Sequence, residues 1–366
     1  MVARFRERLS RLADLMRESD ISGAIVSPGS NLLYLTGLSP AATLERLFTL
    51  LVSSEGEVSL LAPKLYENEL RGTWIEDVRI WSDSEDPYEM MREIIERMFG
   101  RAGSIAVDDQ MQAVHLLRLY GFLRKYDLRP LSQLISRLRM VKDEEELRLM
   151  REASRMADET IERLMSEDLR GRREREVVRM IESLLMELGA DRSFDAIVAS
   201  GPNGANPHHT PGERRISEGD VLIIDFGARY RGYCSDITRT FSIGRPSERL
   251  IEVYEVVREA QERAFQSVRE GALAGEVDAA ARGFIASRGY GERFTHRTGH
   301  GLGLDIHEEP YIAPNSGTEL REGMVFTIEP GIYLEGSFGV RIEDDVAIVG
   351  GRGERLTRTT RELIRL

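Results

Sequence analysis

Carboxylates sit at the ends of apolar, β-patterned runs in this chain, and no other feature restricts its folding so strongly. The run Val221–Phe226 carries Asp225, and the run Tyr233–Arg239 carries Asp236. Ala228–Gly232 lies between them, so a hairpin is expected, centred midway between the two aspartates. That register sets Asp225 and Asp236 directly opposite each other, with Cβ atoms roughly 5 Å apart. Leu222, Ile224 and Phe226 make the neighbouring face apolar as well, so solvent does not screen the pair. Opposed like charges in such a place are destabilising unless something positive lies between them, and divalent cations do this best.

The pattern recurs near the end of the chain. Val325–Glu329 and Gly339–Glu343 flank the turn Glu335–Gly336–Ser337, so Glu329 and Glu343 should also face each other. Four of the six histidines, His208, His296, His300 and His307, lie among glycines or prolines and not on helical faces. Gly299 and Gly301 flank His300 and let the backbone come close to an ion or a substrate. Four carboxylates balance two divalent ions and, with one imidazole, suit a two-metal centre with ions roughly 3.5–4 Å apart and a bridging water. The oxygen-rich ligand set favours Mn²⁺ or Co²⁺, with Zn²⁺ also admissible.

Ile-Asp-Phe-Gly, Ser-Asp-Ile-Thr-Arg, Gly-His-Gly-Leu-Gly, Ile-Glu-Pro-Gly and Arg-Ile-Glu-Asp follow one another in this order. In these motifs the chain resembles the pita-bread metallopeptidases, the family of methionine aminopeptidase, aminopeptidase P and prolidase. The resemblance covers residues 143–366. It implies that Asp225 chelates one metal, His300 and Glu329 the other, and that Asp236 and Glu343 bridge both. It places His208 and His307 beside the scissile carbonyl and the developing oxyanion, makes Glu329 the proton acceptor, and gives His296 and Arg341 substrate-contacting or supporting positions. Neighbouring His209 is peripheral. The N-terminal part is similar to that of the aminopeptidase P and prolidase branch. The activity implied is hydrolysis of the Xaa-Pro bond of short peptides by a metal-bridging hydroxide, in the manner of an Xaa-Pro dipeptidase, with aminopeptidase P as the alternative. A proline amide lacks the N–H that ordinary proteases use, so a dedicated pocket is expected, with Arg341 taking a substrate carboxylate. The chain departs from some prolidases at Tyr311, where they carry an arginine.

Other classes fit less well. A metal-free relative such as creatinase lacks the five ligands, and non-catalytic binding relatives lose ligands and gain basic tails. Asp-Phe-Gly at 225–227 has no Gly-rich phosphate loop or His-Arg-Asp before it, and the glycines at 299–303 are not a dinucleotide fingerprint. A net charge of −12 argues against nucleic acid and anionic membranes as partners. The lone Cys234 and the absence of an apolar leader or span give a cytoplasmic expectation, and the resemblance a homodimer.

The expected fold class is α+β: an α/β domain over 1–136, a connector at 137–142 and the pita-bread domain over 143–366. In the first part, helices are predicted near 3–18, 87–99 and 111–126. Strands are predicted at Gly23–Ser27, Leu32–Leu35, Leu47–Val52, Val58–Leu61 and Ser104–Val107. Asp108 and Asp109 read as a strand end and a helix cap. In the second part, Asp143 with Glu146 has the form of a capping box. Further helices are predicted at 173–188, from Ser247 towards Gly271, and over 276–288.

Overall fold

The computed structural model describes residues 2–40 and 45–366, which divide into two compact units, one ending at Arg139 and the other beginning at Met140. The first unit runs α1 (Val2–Glu18), β1 (Ile21–Val26), α2 (Ser30–Thr36), β2 (Thr49–Ser53), β3 (Val58–Pro63), α3 (Glu67–Leu70), β4 (Asp77–Trp81), α4 (Pro87–Phe99), β5 (Ser104–Val107), α5 (Ala113–Leu123), β6 (Asp127–Pro130) and α6 (Ser132–Arg139). Its six strands form one mixed sheet in the order β4-β3-β2-β1-β5-β6. The β2–β3 hairpin forms as predicted, with Val52 opposite Val58.

Leu32–Leu35 is helical, not a strand. Four apolar residues carry no period long enough to separate the two states, and Gly37 at φ 80° closes a single helical segment by donating its N–H to Leu33 O. Asp108 is buried at the end of β5 and accepts from Ser27 N, Asn31 Nδ2 and Gln110 N, while Asp109 holds Ser132 N and Oγ at the start of α6. Both are structural. The last turn of α6 includes Arg137–Arg139, the first half of the expected connector.

The second unit runs α7 (Glu144–Met165), α8 (Glu174–Glu187), β7 (Asp191–Arg192), β8 (Ile197–Ser200), β9 (Val221–Phe226), β10 (Ala228–Tyr230), β11 (Tyr233–Cys234), β12 (Ile237–Ser242), α9 (Glu248–Ser267), α10 (Ala274–Ser287), β13 (Gly299–Gly301), β14 (Glu308–Ile312), β15 (Val325–Ile328), β16 (Gly331–Leu334), β17 (Phe338–Arg341), β18 (Asp344–Val349), β19 (Arg352–Arg355) and β20 (Ile364–Arg365). Asp143 and Glu146 close the capping box of α7, and Ser247 Oγ caps α9 through Leu250 N.

Two helix-on-sheet layers make up this unit. Helices α7 and α8 bury Ile161, Val177 and Ile181 against Leu222, Ile224 and Phe241 of the sheet β20-β12-β9-β8. Helices α9 and α10 bury Val257, Ala281 and Ile285 against Phe326, Ile328 and Val346 of the sheet β14-β13-β15-β18-β19.

The β9–β12 register differs from expectation. Asp225 pairs with Thr238 and Phe226 with Ile237, while Tyr230 pairs with Tyr233 across the turn Arg231–Gly232, whose φ values are 49° and 91°. Positive φ at both central residues makes this the tight two-residue turn that suits hairpin twist. Counted from it, Asp236 falls opposite Gly227, diagonal to Asp225 and on the same face. A Cβ at Gly227 would lie 1.8 Å from Ser235 O, so the close approach there needs glycine. The second hairpin keeps the predicted register: Ile328 pairs with Asp344 and Gly331 with Arg341, on either side of Glu329 and Glu343.

Candidate active site

Strand alternation delivers the polar side chains to one place. Leu222, Ile224 and Phe226 face one helical layer, so Asp225 points away from it; Phe326 and Ile328, then Val340 and Ile342, face the other, which sends Thr327, Glu329, Arg341 and Glu343 outward. The two sheets meet at Thr238. It is the ladder partner of Asp225 and forms an isolated bridge with Glu343, whose N–H donates to Thr238 O at 3.1 Å. Thr238 Oγ1 also donates to Glu343 Oε2 at 2.5 Å. Strands β9 and β12 and the β17–β18 junction therefore present Asp225, Thr238 and Glu343 side by side.

All nine site residues expected from the sequence line one cavity of about 370 Å³. Asp236, His300 and Glu343 converge most tightly, with one candidate ligand atom from each lying within 4.8 Å of the others. His300 is held by its backbone N–H on Thr327 Oγ1 at 3.1 Å and by Nδ1–H on Gly301 O at 3.1 Å. The carbonyl partner fixes the proton on Nδ1, so the Nε2 lone pair faces Glu329 Oε1 at 3.4 Å and Asp236 Oδ2 at 3.7 Å. Burial first, then His307 and Arg297, hold the His300 imidazole down to about 3, so it stays neutral.

Burial, with the charges of Glu343 and Asp225, holds Asp236 well above the usual carboxylate range. Burial and then Glu329 do the same to Glu343, and burial pushes Glu329 up to about 7. Asp225 Oδ1 and Asp236 Oδ1 are buried without a hydrogen-bond partner. These two unserved oxygens, beside the converging ligand atoms of Asp236, His300 and Glu343, suit cations.

The remaining expected residues are placed as follows. Arg341 is buried and makes four hydrogen bonds to protein, to Asp225 Oδ2, Tyr333 Oη, Thr238 Oγ1 and Pro207 O. A guanidinium has five N–H groups, so Arg341 offers no free fork to a substrate carboxylate, contrary to the expectation. Its visible task is to hold Asp225. His296 donates Nδ1–H to Arg297 O and accepts from Tyr333 Oη at Nε2, both at 2.8 Å. Burial keeps it neutral, down to about 4. A directed chain thus runs from Arg341 through Tyr333 to His296. His307 is exposed, its ring centroid 4.2 Å from that of His300, and desolvation of the imidazole by its neighbours lowers its pKa. His208 is exposed at the rim, while its neighbour His209 is tied to Glu174 Oε2 at 2.8 Å.

Known proteins with the same layout identify the group to which the chain belongs. Residues 148–349 match the profile of Metallopeptidase family M24, and residues 8–141 that of the Creatinase/Prolidase N-terminal domain.

The chain belongs to metallopeptidase family M24.

It is 36% identical to the Xaa-Pro dipeptidase of Pyrococcus horikoshii over 98% of this chain and 99% of the relative. It is 37% identical to the probable dipeptidase PepE of Mycobacterium tuberculosis over 98% of this chain and 96% of the relative. The crystal structure of a recombinant prolidase from Thermococcus sibiricus superposes with a TM-score of 0.96 at 51% identity, covering 99% of both chains. The α+β class, with the pita-bread fold following a creatinase-type domain, is therefore as expected.

M24 metallopeptidases use divalent metal, and the acceptor-only cluster fits that use. Sequence reasoning missed Thr238, Tyr333, Asp345 and Arg297. The buried carboxylate of Asp345 accepts the Asp236 backbone N–H and the Ser154 hydroxyl, both at 3.0 Å. Its place beside Glu343 and Asp344 in an apolar strand was a usable signal. Nothing local marks Tyr333 or Thr238, whose roles arise from pairing between distant strands.

Proposed function

We propose that this M24 protein hydrolyses the bond before proline in short peptides, as an Xaa-Pro dipeptidase (prolidase). The observation that carries the reading is the ring of acceptors, buried Asp236, Glu343 and His300 Nε2 with half-buried Glu329, opening into a cavity of dipeptide scale. Asp225, Asp236, His300, Glu329 and Glu343 would hold two divalent ions, and the donor set favours Mn²⁺ or Co²⁺ over Zn²⁺. When bound, such ions supply Lewis acidity and acidify a water.

The chain's own groups do the rest. Glu329 accepts a proton from the attacking water and passes it to the leaving nitrogen. Neutral His307 donates an N–H to the carbonyl oxygen as negative charge develops there, and His208 closes the rim. Phe194, Ile197 and Ile306 form the apolar part of the cavity wall and suit a proline ring. Arg341, fixed through Tyr333 and His296, keeps Asp225 in place.

The division into a domain at 1–136, a connector at 137–142 and a catalytic domain at 143–366 belongs to this proposal, as do a homodimer and a cytoplasmic location. No helix among the described residues is long and apolar enough to cross a membrane. Tyr311, replacing the arginine of some prolidases, favours the second reading, aminopeptidase P. Metal-loaded protein offered Ala-Pro and Ala-Pro-Ala separates the two: the proposal expects faster cleavage of Ala-Pro. Faster cleavage of the tripeptide selects aminopeptidase P, and cleavage of neither rejects both.

A further inference from the structure

The His307 imidazole is exposed in the cavity wall, and among the described residues its ring makes no hydrogen bond; its ring contact is with His300. Where its N–H points is therefore set by the backbone of the loop 302–307, which joins β13 to β14. The two halves of that loop are held by different means. In the first half, Gly303 O accepts from Cys234 N at 2.7 Å and Leu304 O from Arg229 Nη1 at 3.2 Å, both donors coming from the β10–β11 hairpin. At the other end the anchor is ionic. Glu308, directly after His307 and the ladder partner of Gly301, accepts from Lys142 Nζ on Oε1 at 2.9 Å.

Lys142 stands apart from the other basic residues. Among the 50 lysines and arginines only Lys64, Lys125 and Lys142 are lysines. Lys64 and Lys125 are exposed, whereas the Lys142 side chain is 1% exposed. Taking an ammonium out of water is costly unless close partners offset it, and here they are Glu308 and, at 3.4 Å, Met140 O. The slot is cut to size. A Cβ on Gly303 would lie 2.8 Å from Glu308 Oε1 and 3.1 Å from Lys142 Cε, so the pair can lie against the loop only because residue 303 is glycine. A compact ammonium suits such a slot better than the broad planar guanidinium used elsewhere in the chain. The backbone behind Lys142 is fixed as well: its N–H donates to Gly323 O at 2.8 Å, and Val141 bridges Met324, just before the strand β15 that leads to Glu329.

We propose that the buried Lys142–Glu308 ion pair is a positioning device for the reaction, pinning the loop 302–307 so that the His307 N–H stands at the carbonyl oxygen of the substrate. Lys142 and Glu308 touch no reacting atom in this scheme; they act through His307. The proposal rests on the Xaa-Pro reading above and deepens it, because it names what keeps an untethered imidazole in register with Glu329. Small misplacements of such a donor are expensive in rate, since its contribution depends on meeting the charge as it develops.

The test measures kcat and KM for Ala-Pro, metal content and thermal midpoint on metal-loaded wild type, Lys142→Met, His307→Ala and the double variant. Lys142→Met should lower kcat by about 10–100-fold, with KM and metal content near wild type. In the His307→Ala background the same substitution should change kcat by less than about twofold, because the group it positions is already gone. A pair that merely staples the fold would lower the thermal midpoint and leave kcat of the folded protein alone. An unchanged kcat in Lys142→Met overturns the proposal, as does an equal loss in both backgrounds or a loss that follows metal content. Should Lys142→Met fail to fold, the isosteric Glu308→Gln carries the same comparison. Each of these outcomes leaves the Xaa-Pro reading standing, provided wild type cleaves Ala-Pro; a wild-type protein that does not overturns that reading, and the proposal with it.

Discussion

Single side chains fix the loop that carries His208. Glu174 is fully buried and accepts from Ser200 N and Oγ, Asn203 Nδ2, His209 Nε2 and Gly212 N, so one carboxylate ties down residues 200–212. Burial works to raise its pKa, but those donors outweigh it, and the net shift is below the ordinary value of 4.5. A carboxylate with a depressed folded-state pKa adds stability that is present above 4.5 and lost as pH falls through the folded value. Glu174→Gln should therefore cost about 1–3 kcal/mol near neutrality. The gap to wild type should close progressively below pH 4.5, as followed by denaturant unfolding at a series of pH values. A gap that stays constant with pH would mean the carboxylate charge is not what holds the loop. This residue was not legible in the sequence, because its partners lie 26 or more positions away. Asp225 and Glu343 were, because each interrupts an apolar strand.

Strands and helices repeat the lesson at a larger scale. The apolar runs Val221–Phe226 and Val325–Glu329 announced both β-strands and the acids they carry, and the three-residue turn around Gly336 placed the second hairpin in register. The first hairpin slipped by one pair because two turns compete within Ala228–Gly232, and only the backbone shows that Arg231 accepts a positive φ. Leu32–Leu35 was too short for periodicity to decide. Since Phe326 anchors β15 against α9 and α10 with no exposed surface, Phe326→Ala should destabilise the protein by about 3–5 kcal/mol. Thermal or denaturant unfolding measures this, and a loss below about 1 kcal/mol would mean the helical layer does not depend on that contact.

For the molecule as a whole, family membership was written in five short motifs, whereas the convergence of nine distant side chains on one cavity required coordinates. The concentration of buried acids also makes folding sensitive to metal. Removing divalent ions with a chelator should lower the thermal midpoint, and adding Mn²⁺ at about 100 times its Kd should restore about 2.7 kcal/mol. Calorimetry with and without chelator checks this; a midpoint indifferent to metal would separate the acid cluster from ion binding.

Thr238 lies at the suture of two sheets, where backbone bridges set how far apart the acids of β9 and of the β17–β18 turn can stand. Ion selection should then follow radius and coordination number, as in a rigid gauge. A cation too large for that fixed spacing has to distort hydrogen-bonded strands and not merely rotate a side chain.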